Sequence, residues 1–60
     1  MSEIKKILMK RDGMSEAETD DLIEQAVEDL NARLLEGDPS AEDICAEYFG
    51  LEPDYLMELI

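Results

Sequence analysis

The sequence contains no histidine and no tryptophan, one cysteine, and only 5 lysine and arginine residues among 60. Without histidine it lacks the most common general base of enzymes, and one cysteine forms neither an internal disulfide nor a zinc site. The apolar stretch between the N-terminal basic residues covers only residues 7–9, short of the roughly 7 to 15 residues of a signal-peptide core. No run approaches the roughly 20 apolar residues of a membrane span. These absences predict a cytoplasmic, non-catalytic protein.

Acidic residues are abundant instead, since 17 Asp and Glu give a formal net charge of -12. Residues 1–11 contain four basic and one acidic residue, for a net charge of +3, whereas residues 12–60 contain one basic and 16 acidic residues, for -15. Such a body repels nucleic acid and anionic membranes and attracts a basic partner or its own N-terminal segment. We expect neither nucleic acid nor a membrane as a partner. The simplest interpretation of the charge is a solvated surface that favours solubility.

Serine, glycine and proline mark several helix boundaries. Ser15, with Glu18 three residues later, forms the pattern of a capping box at the start of a second helix. Gly37 supplies the left-handed residue that ends this helix. Gly50 ends a third helix in the same way, and Pro53 begins a fourth at its first position. The predicted helices cover about residues 3–11, 16–36, 40–49 and 53–59.

The first and third helices have less distinct starts. Ser2 is a candidate cap for the first helix, and Asp38 before Pro39, or Ser40, begins the third. All the connections between helices are tight turns, too short to separate domains. The sequence therefore predicts one all-α domain over residues 1–60, a compact bundle of three to four helices.

The second helix has an apolar stripe about 140° wide between Leu22 and Leu34, which is core or interface. Leu35 lies well off the centre of this stripe and needs a second surface to bury against. A chain of this length buries only about 60% of the surface that its unfolded form exposes, so we expect part of the stripe to contact another polypeptide. The predicted interface residues are Leu22, Ile23, Val27, Leu30, Leu34, Leu35, Tyr55 and Ile60.

The other reactive or charged residues have structural interpretations. Cys45 has no histidine to activate it and is predicted to be a small buried hydrophobic residue. The acidic stretch over residues 16–21 lacks the central glycine and terminal glutamate of an EF-hand loop. Asp29 and Arg33 form one favourable i,i+4 pair. We therefore expect no catalytic, cofactor-binding or metal-binding residue, and no cofactor.

Residues 46–60 resemble the helix-turn-helix of the arabinose-regulator type. The resemblance rests on a small residue, a turn glycine, an apolar residue, a proline and a Tyr-Leu-x-x-Leu run, here Ala46, Gly50, Leu51, Pro53, Tyr55, Leu56 and Leu59. It implies a helical corner at the C-terminus. Asp54 and Glu58 stand where DNA readers carry basic and amide side chains, so we expect the corner to serve packing.

A wider pattern resembles a group of short acidic proteins of bacterial prophages and mobile elements. The pattern runs through Leu8-Met9-x-Arg11-Asp12-Gly13-Met14-Ser15, Leu22-Ile23, Leu30, Arg33-Leu34 and Asp43-Ile44-Cys45-x-Glu47-Tyr48-Phe49-Gly50-Leu51-Glu52-Pro53-Asp54-Tyr55. This resemblance covers nearly the whole chain, but it implies no activity and transfers no functional residue.

Two functions from different classes fit these observations. The first is a small acidic protein–protein interaction module that self-associates as a homo-oligomer or binds another protein. The alternative is a nucleic-acid-mimicking inhibitor, in which the acidic body over residues 12–60 occupies the basic groove of a nuclease or regulator. The alternative requires carboxylates spaced along one face like the phosphates of a nucleic acid.

Overall fold

The computed structural model describes residues 3–59, and within that range the chain is helical with no β-strand. This confirms the predicted all-α bundle. The predicted third helix begins as a 3-10 helix and continues as an α-helix, and the predicted fourth is a 3-10 helix. The elements are α1 (Glu3–Arg11), α2 (Glu16–Glu36), the first 3-10 helix (Pro39–Asp43), α3 (Ile44–Phe49) and the second 3-10 helix (Pro53–Glu58).

Both ends of α2 have the caps that the sequence predicts. The Ser15 hydroxyl accepts the backbone N–H of Glu18 at 3.2 Å, and the Glu18 carboxylate accepts the Ser15 N–H at 3.3 Å. Gly37 has a φ of 69°, and its N–H and that of Asp38 donate to the carbonyls of the last turn. Part of the backbone groups that a helix end leaves unpaired is thus satisfied within the chain at each end of α2.

The 3-10 geometry of the shorter segments follows from how they begin. The Asp38 carboxylate accepts the N–H of Ser40 at 2.9 Å, and the Asp38 carbonyl accepts the N–H of Ala41 at 3.1 Å. This cap and Pro39 close a tight turn with i to i+3 bonds before α3 begins. In the second 3-10 helix, the N–H of Tyr55 bonds to the Glu52 carbonyl in the same pattern. Segments this short make few i to i−4 bonds, so the tighter helix is a common alternative.

A side chain from the other end of the chain caps α1. The Glu58 carboxylate accepts the backbone N–H groups of Glu3 at 2.7 Å and Ile4 at 3.3 Å. A negative charge at a helix N-terminus is favourable because the unpaired N–H groups there carry partial positive charge. Ser2, the cap predicted from the sequence, lies outside the described residues. Glu58, near the end of the described chain, therefore stabilises the N-terminus of α1.

The hydrophobic core lies where α1, α2 and α3 meet. α2 contacts α1, the first 3-10 helix and α3, and the second 3-10 helix contacts both α3 and α1. Cys45 is fully buried, as predicted. Thr19 is also fully buried, and its hydroxyl donates to the Ser15 carbonyl at 2.8 Å, so this polar group is satisfied. The core residues are Ile4, Leu8, Ala26, Leu30, Ala41, Ile44, Cys45, Phe49 and Leu59.

We predict that Leu30→Ala lowers the free energy of unfolding by about 2–5 kcal/mol, because Leu30 is fully buried and its truncation leaves a cavity. Leu35→Ala is the matched control in the same helix, since its side chain is 88% exposed; in dilute solution it should change stability by no more than about 0.5 kcal/mol. Urea denaturation followed by circular dichroism measures both. Equal losses in the two variants would contradict this assignment of the core.

Candidate interaction surface

The C-terminal half of α2 is held by Arg33, whose guanidinium group contacts two carboxylates. Its Nε and Nη2 atoms lie 3.0 and 3.1 Å from the Asp29 oxygens, and its Nη1 and Nη2 atoms lie 2.9 and 3.1 Å from the Glu47 oxygens. Nη1 also donates to the Ser40 carbonyl at 3.1 Å. One side chain therefore links α2 to α3 and to the first 3-10 helix.

Tyr48 extends this cluster. Its hydroxyl donates to Asp29 at 2.8 Å. That hydrogen bond and then the Arg33 guanidinium lower the pKa of Asp29, while Arg33 lowers the pKa of Glu47. The bond from Tyr48 to Asp29 raises the pKa of the tyrosine, and the bonds to Glu47 and Asp29 raise the pKa of Arg33. Each group thus favours the charge state in which the cluster is fully hydrogen-bonded.

Leu34 and Leu35, here called the leucine pair, directly follow Arg33. Leu34 is 53% exposed and Leu35 is 88% exposed. The turn that carries them is held on one side by Arg33 and closed by the glycine cap at Gly37. The leucine pair is therefore an exposed apolar surface at a helix end that hydrogen bonds hold in position.

The other described residues of the predicted interface are buried or partly buried. Leu30 has no exposed surface and belongs to the core, so the surface available to a partner does not include it. Ile60 lies outside the described residues. The other four predicted residues are partly buried and pack against the core, and these are Leu22, Ile23, Val27 and Tyr55.

Acidic residues occupy the solvent-facing side of α2. With 3.6 residues per turn, Glu24 and Glu28 lie within about 40° of Leu35 around the helix axis. Both carboxylates and that of the adjacent Glu36 are exposed, and none forms an ion pair with another described residue. Glu36 adjoins the leucine pair, and Glu28 lies about 10 Å before Leu35 along the helix axis, so these two carboxylates form the acidic rim of the leucine pair on α2.

The basic residues near the N-terminus fall into two groups. The Lys5 ammonium lies 3.1 Å from Glu16 and 3.0 Å from Asp20, which holds α1 against the start of α2. Arg11 pairs with Asp12 and donates to the Phe49 carbonyl at 2.6 Å. Two other lysines on α1 are exposed and form no ion pair with a residue in the range 3–59, and these are Lys6 and Lys10.

The part of the chain that the structure describes contains no other candidate site. Residues 3–59 enclose no pocket, and they contain no group of three or more acidic or cysteine side chains placed to hold a metal ion. Within the same range, no helix has the length and apolar character needed to cross a bilayer.

Comparison of the chain with protein-family models, curated proteins and solved structures gives no match. The resemblances to the prophage group and to a helix-turn-helix corner therefore stay predictions.

We predict that the stabilising effect of Arg33 depends on pH. Since the folded chain lowers the pKa values of Asp29 and Glu47, their contribution is present above their usual pKa values of about 4 and is lost as the pH falls through the lowered values. The difference in unfolding free energy between wild type and Arg33→Gln should be largest at neutral pH and should shrink in acid. Chemical denaturation at a series of pH values measures this difference.

Lys6→Gln is the control for this experiment, because it also removes one positive charge but from a lysine with no ion pair among the described residues. General relief of charge repulsion in acid affects both variants alike. The same pH dependence in both would show that the Arg33 cluster has no specific role.

Proposed function

We propose that this chain is a small acidic protein–protein interaction module that acts without catalysis and self-associates through the leucine pair. The observation that carries the proposal is the 88% exposure of Leu35 beside a half-exposed Leu34. Large aliphatic side chains at a fixed helix end form an anchor for a partner surface. Because the Arg33 cluster already orders this turn, little conformational entropy is lost on binding.

The energy available from the leucine pair sets the strength of the association. Burying one exposed leucine contributes about 1.5–3 kcal/mol, so the pair, already partly covered, contributes on the order of 3 kcal/mol. Association itself costs at least about 4 kcal/mol in lost translational and rotational freedom. The leucine pair therefore needs support from surrounding contacts, and the complex is weak and concentration-dependent.

Nucleic-acid mimicry is the second candidate, favoured by the exposed carboxylates on the outer side of α2. Asp21, Glu24 and Glu28 follow one another at three and four residues, or about 4.5 and 6 Å along the helix axis. Phosphates of one DNA strand follow every 3.4 Å or so along the duplex axis. Because each strand winds around that axis, neighbouring phosphates lie farther apart in space than this rise, and the spacing of the carboxylates alone does not favour either candidate. The row has only three members on one helix, so the exposed leucine pair supports interaction through apolar contact better.

We also assign the chain to the cytoplasm. Cys45 is its one cysteine, and the side chain is a free, fully buried thiol. Burial, and then the nearby Glu58 carboxylate, raise the pKa of this thiol, which keeps it protonated and unreactive. A small domain that depends on packing instead of disulfides fits a reducing compartment.

The test of self-association is the molar mass in solution, measured by light scattering after size exclusion from micromolar to millimolar protein. We expect the wild type to exceed 6.8 kDa increasingly with concentration. The double variant Leu34→Ser with Leu35→Ser should remain at the mass of one chain, because the apolar anchor is removed.

Met57→Ser is the matched control, since Met57 is another exposed apolar side chain, 82% exposed, in the second 3-10 helix. It should associate like the wild type. A wild type that remains monomeric at millimolar concentration would refute self-association, and equal loss in both variants would assign the effect to general surface hydrophobicity.

A further inference from the structure

We infer that the leucine pair docks on the outer side of α1 in a second copy, so that identical chains join head to tail. This inference rests on the proposed function and names the surface that receives the leucine pair. That surface, here called the lysine face, consists of Lys6, Met9 and Lys10. Its three residues lie on the side of α1 opposite the buried Ile4 and Leu8.

The lysine face combines one partly exposed apolar side chain with positive charge. Met9 is 36% exposed, and on a helix Lys6 precedes it by one turn while Lys10 follows it directly. The three other basic residues in the chain form ion pairs with carboxylates of the same molecule. These pairs are Lys5 with Glu16 and Asp20, Arg11 with Asp12, and Arg33 with Asp29 and Glu47. Among the described residues, Lys6 and Lys10 of the lysine face are thus the cations that form no ion pair.

The leucine pair has the complementary character. It is apolar and lies between the exposed carboxylates of Glu28 and Glu36, which form no ion pair with a described residue. When the leucine pair covers Met9, the long side chains of Lys6 and Lys10 extend beside it toward this acidic rim. Charge pairs at the rim supply the support that the leucine pair needs, and they fix the register of the contact.

Symmetric pairing of two leucine pairs is disfavoured by the same charges. It would bring Glu28 and Glu36 of one copy toward the same residues of the other, in chains that each carry a net charge of -12. Like charges across an interface disfavour the complex. Contact between the leucine pair and the lysine face instead joins two different surfaces, and such heterologous contacts produce rings or open chains.

The experiment uses two full-length variants with one surface altered in each. The first is Leu34→Ser with Leu35→Ser, which keeps the lysine face. The second is Lys6→Gln with Lys10→Gln, which keeps the leucine pair. Each variant alone should stay at 6.8 kDa, while their equimolar mixture should form a one-to-one complex of about twice that mass in sedimentation velocity, because one intact contact is restored.

Ala17→Glu with Gln25→Glu controls for net charge. It adds the same two units of negative charge as the lysine variant, at exposed positions outside both surfaces, and it should associate like the wild type. Circular dichroism of every variant confirms that the helical fold is retained.

The outcomes separate this inference from the proposed function. Association of the lysine variant by itself would overturn the inference but leave self-association through the leucine pair in place. A wild type that associates while the mixture stays monomeric would show that the leucine pair and the lysine face do not bind each other, and would also overturn the inference. A monomeric wild type would refute both. An equal loss of association in the charge control would show that general charge repulsion, and not a specific contact of the lysine face, explains the effect.

Discussion

The bidentate contact of one arginine with two carboxylates holds the longest helix of this protein in place. Arg33 joins Asp29 on its own helix to Glu47 on α3 and to the backbone of the first 3-10 helix. The first 3-10 helix and α3 are only 5 and 6 residues long, and neither would be stable as an isolated helix in water. The guanidinium group satisfies several acceptors in a fixed planar geometry, which lysine does not offer. The position of the exposed turn that follows Arg33 depends on this cluster.

The many carboxylates repel one another in the folded chain, and the structure offsets part of this repulsion. Three of the five basic residues pair with carboxylates within the chain, and Glu58 is placed at the N-terminus of α1. Many of the other carboxylates face solvent, where water and salt screen them. Among residues 3–59, this arrangement leaves two lysines of α1 without an ion pair and two adjacent leucines of α2 exposed.

Local patterns predict the helix boundaries well because the interactions that cap a helix connect residues close in sequence. The capping box at Ser15 and the left-handed glycines at Gly37 and Gly50 are of this kind. The pair of Asp29 and Arg33 is also confirmed, since it lies within one helical turn. The second partner of Arg33, Glu47, is 14 residues away, and the cap of α1 is 55 residues away. No sequence period signals contacts of that range.

The sequence by itself determined the helices, their ends and the excess of acid, because these depend on nearest neighbours and on composition. Only the tertiary structure decided which parts of the apolar stripe are covered. Leu30 and Leu34 lie one turn apart on the same stripe, yet one is fully buried and the other is half exposed. After Gly37 the chain turns toward Arg33, where Ser40 binds the guanidinium group, and Leu34 is left uncovered. Burial is a property of where the next segment packs, and a helical period specifies only the direction in which a side chain points.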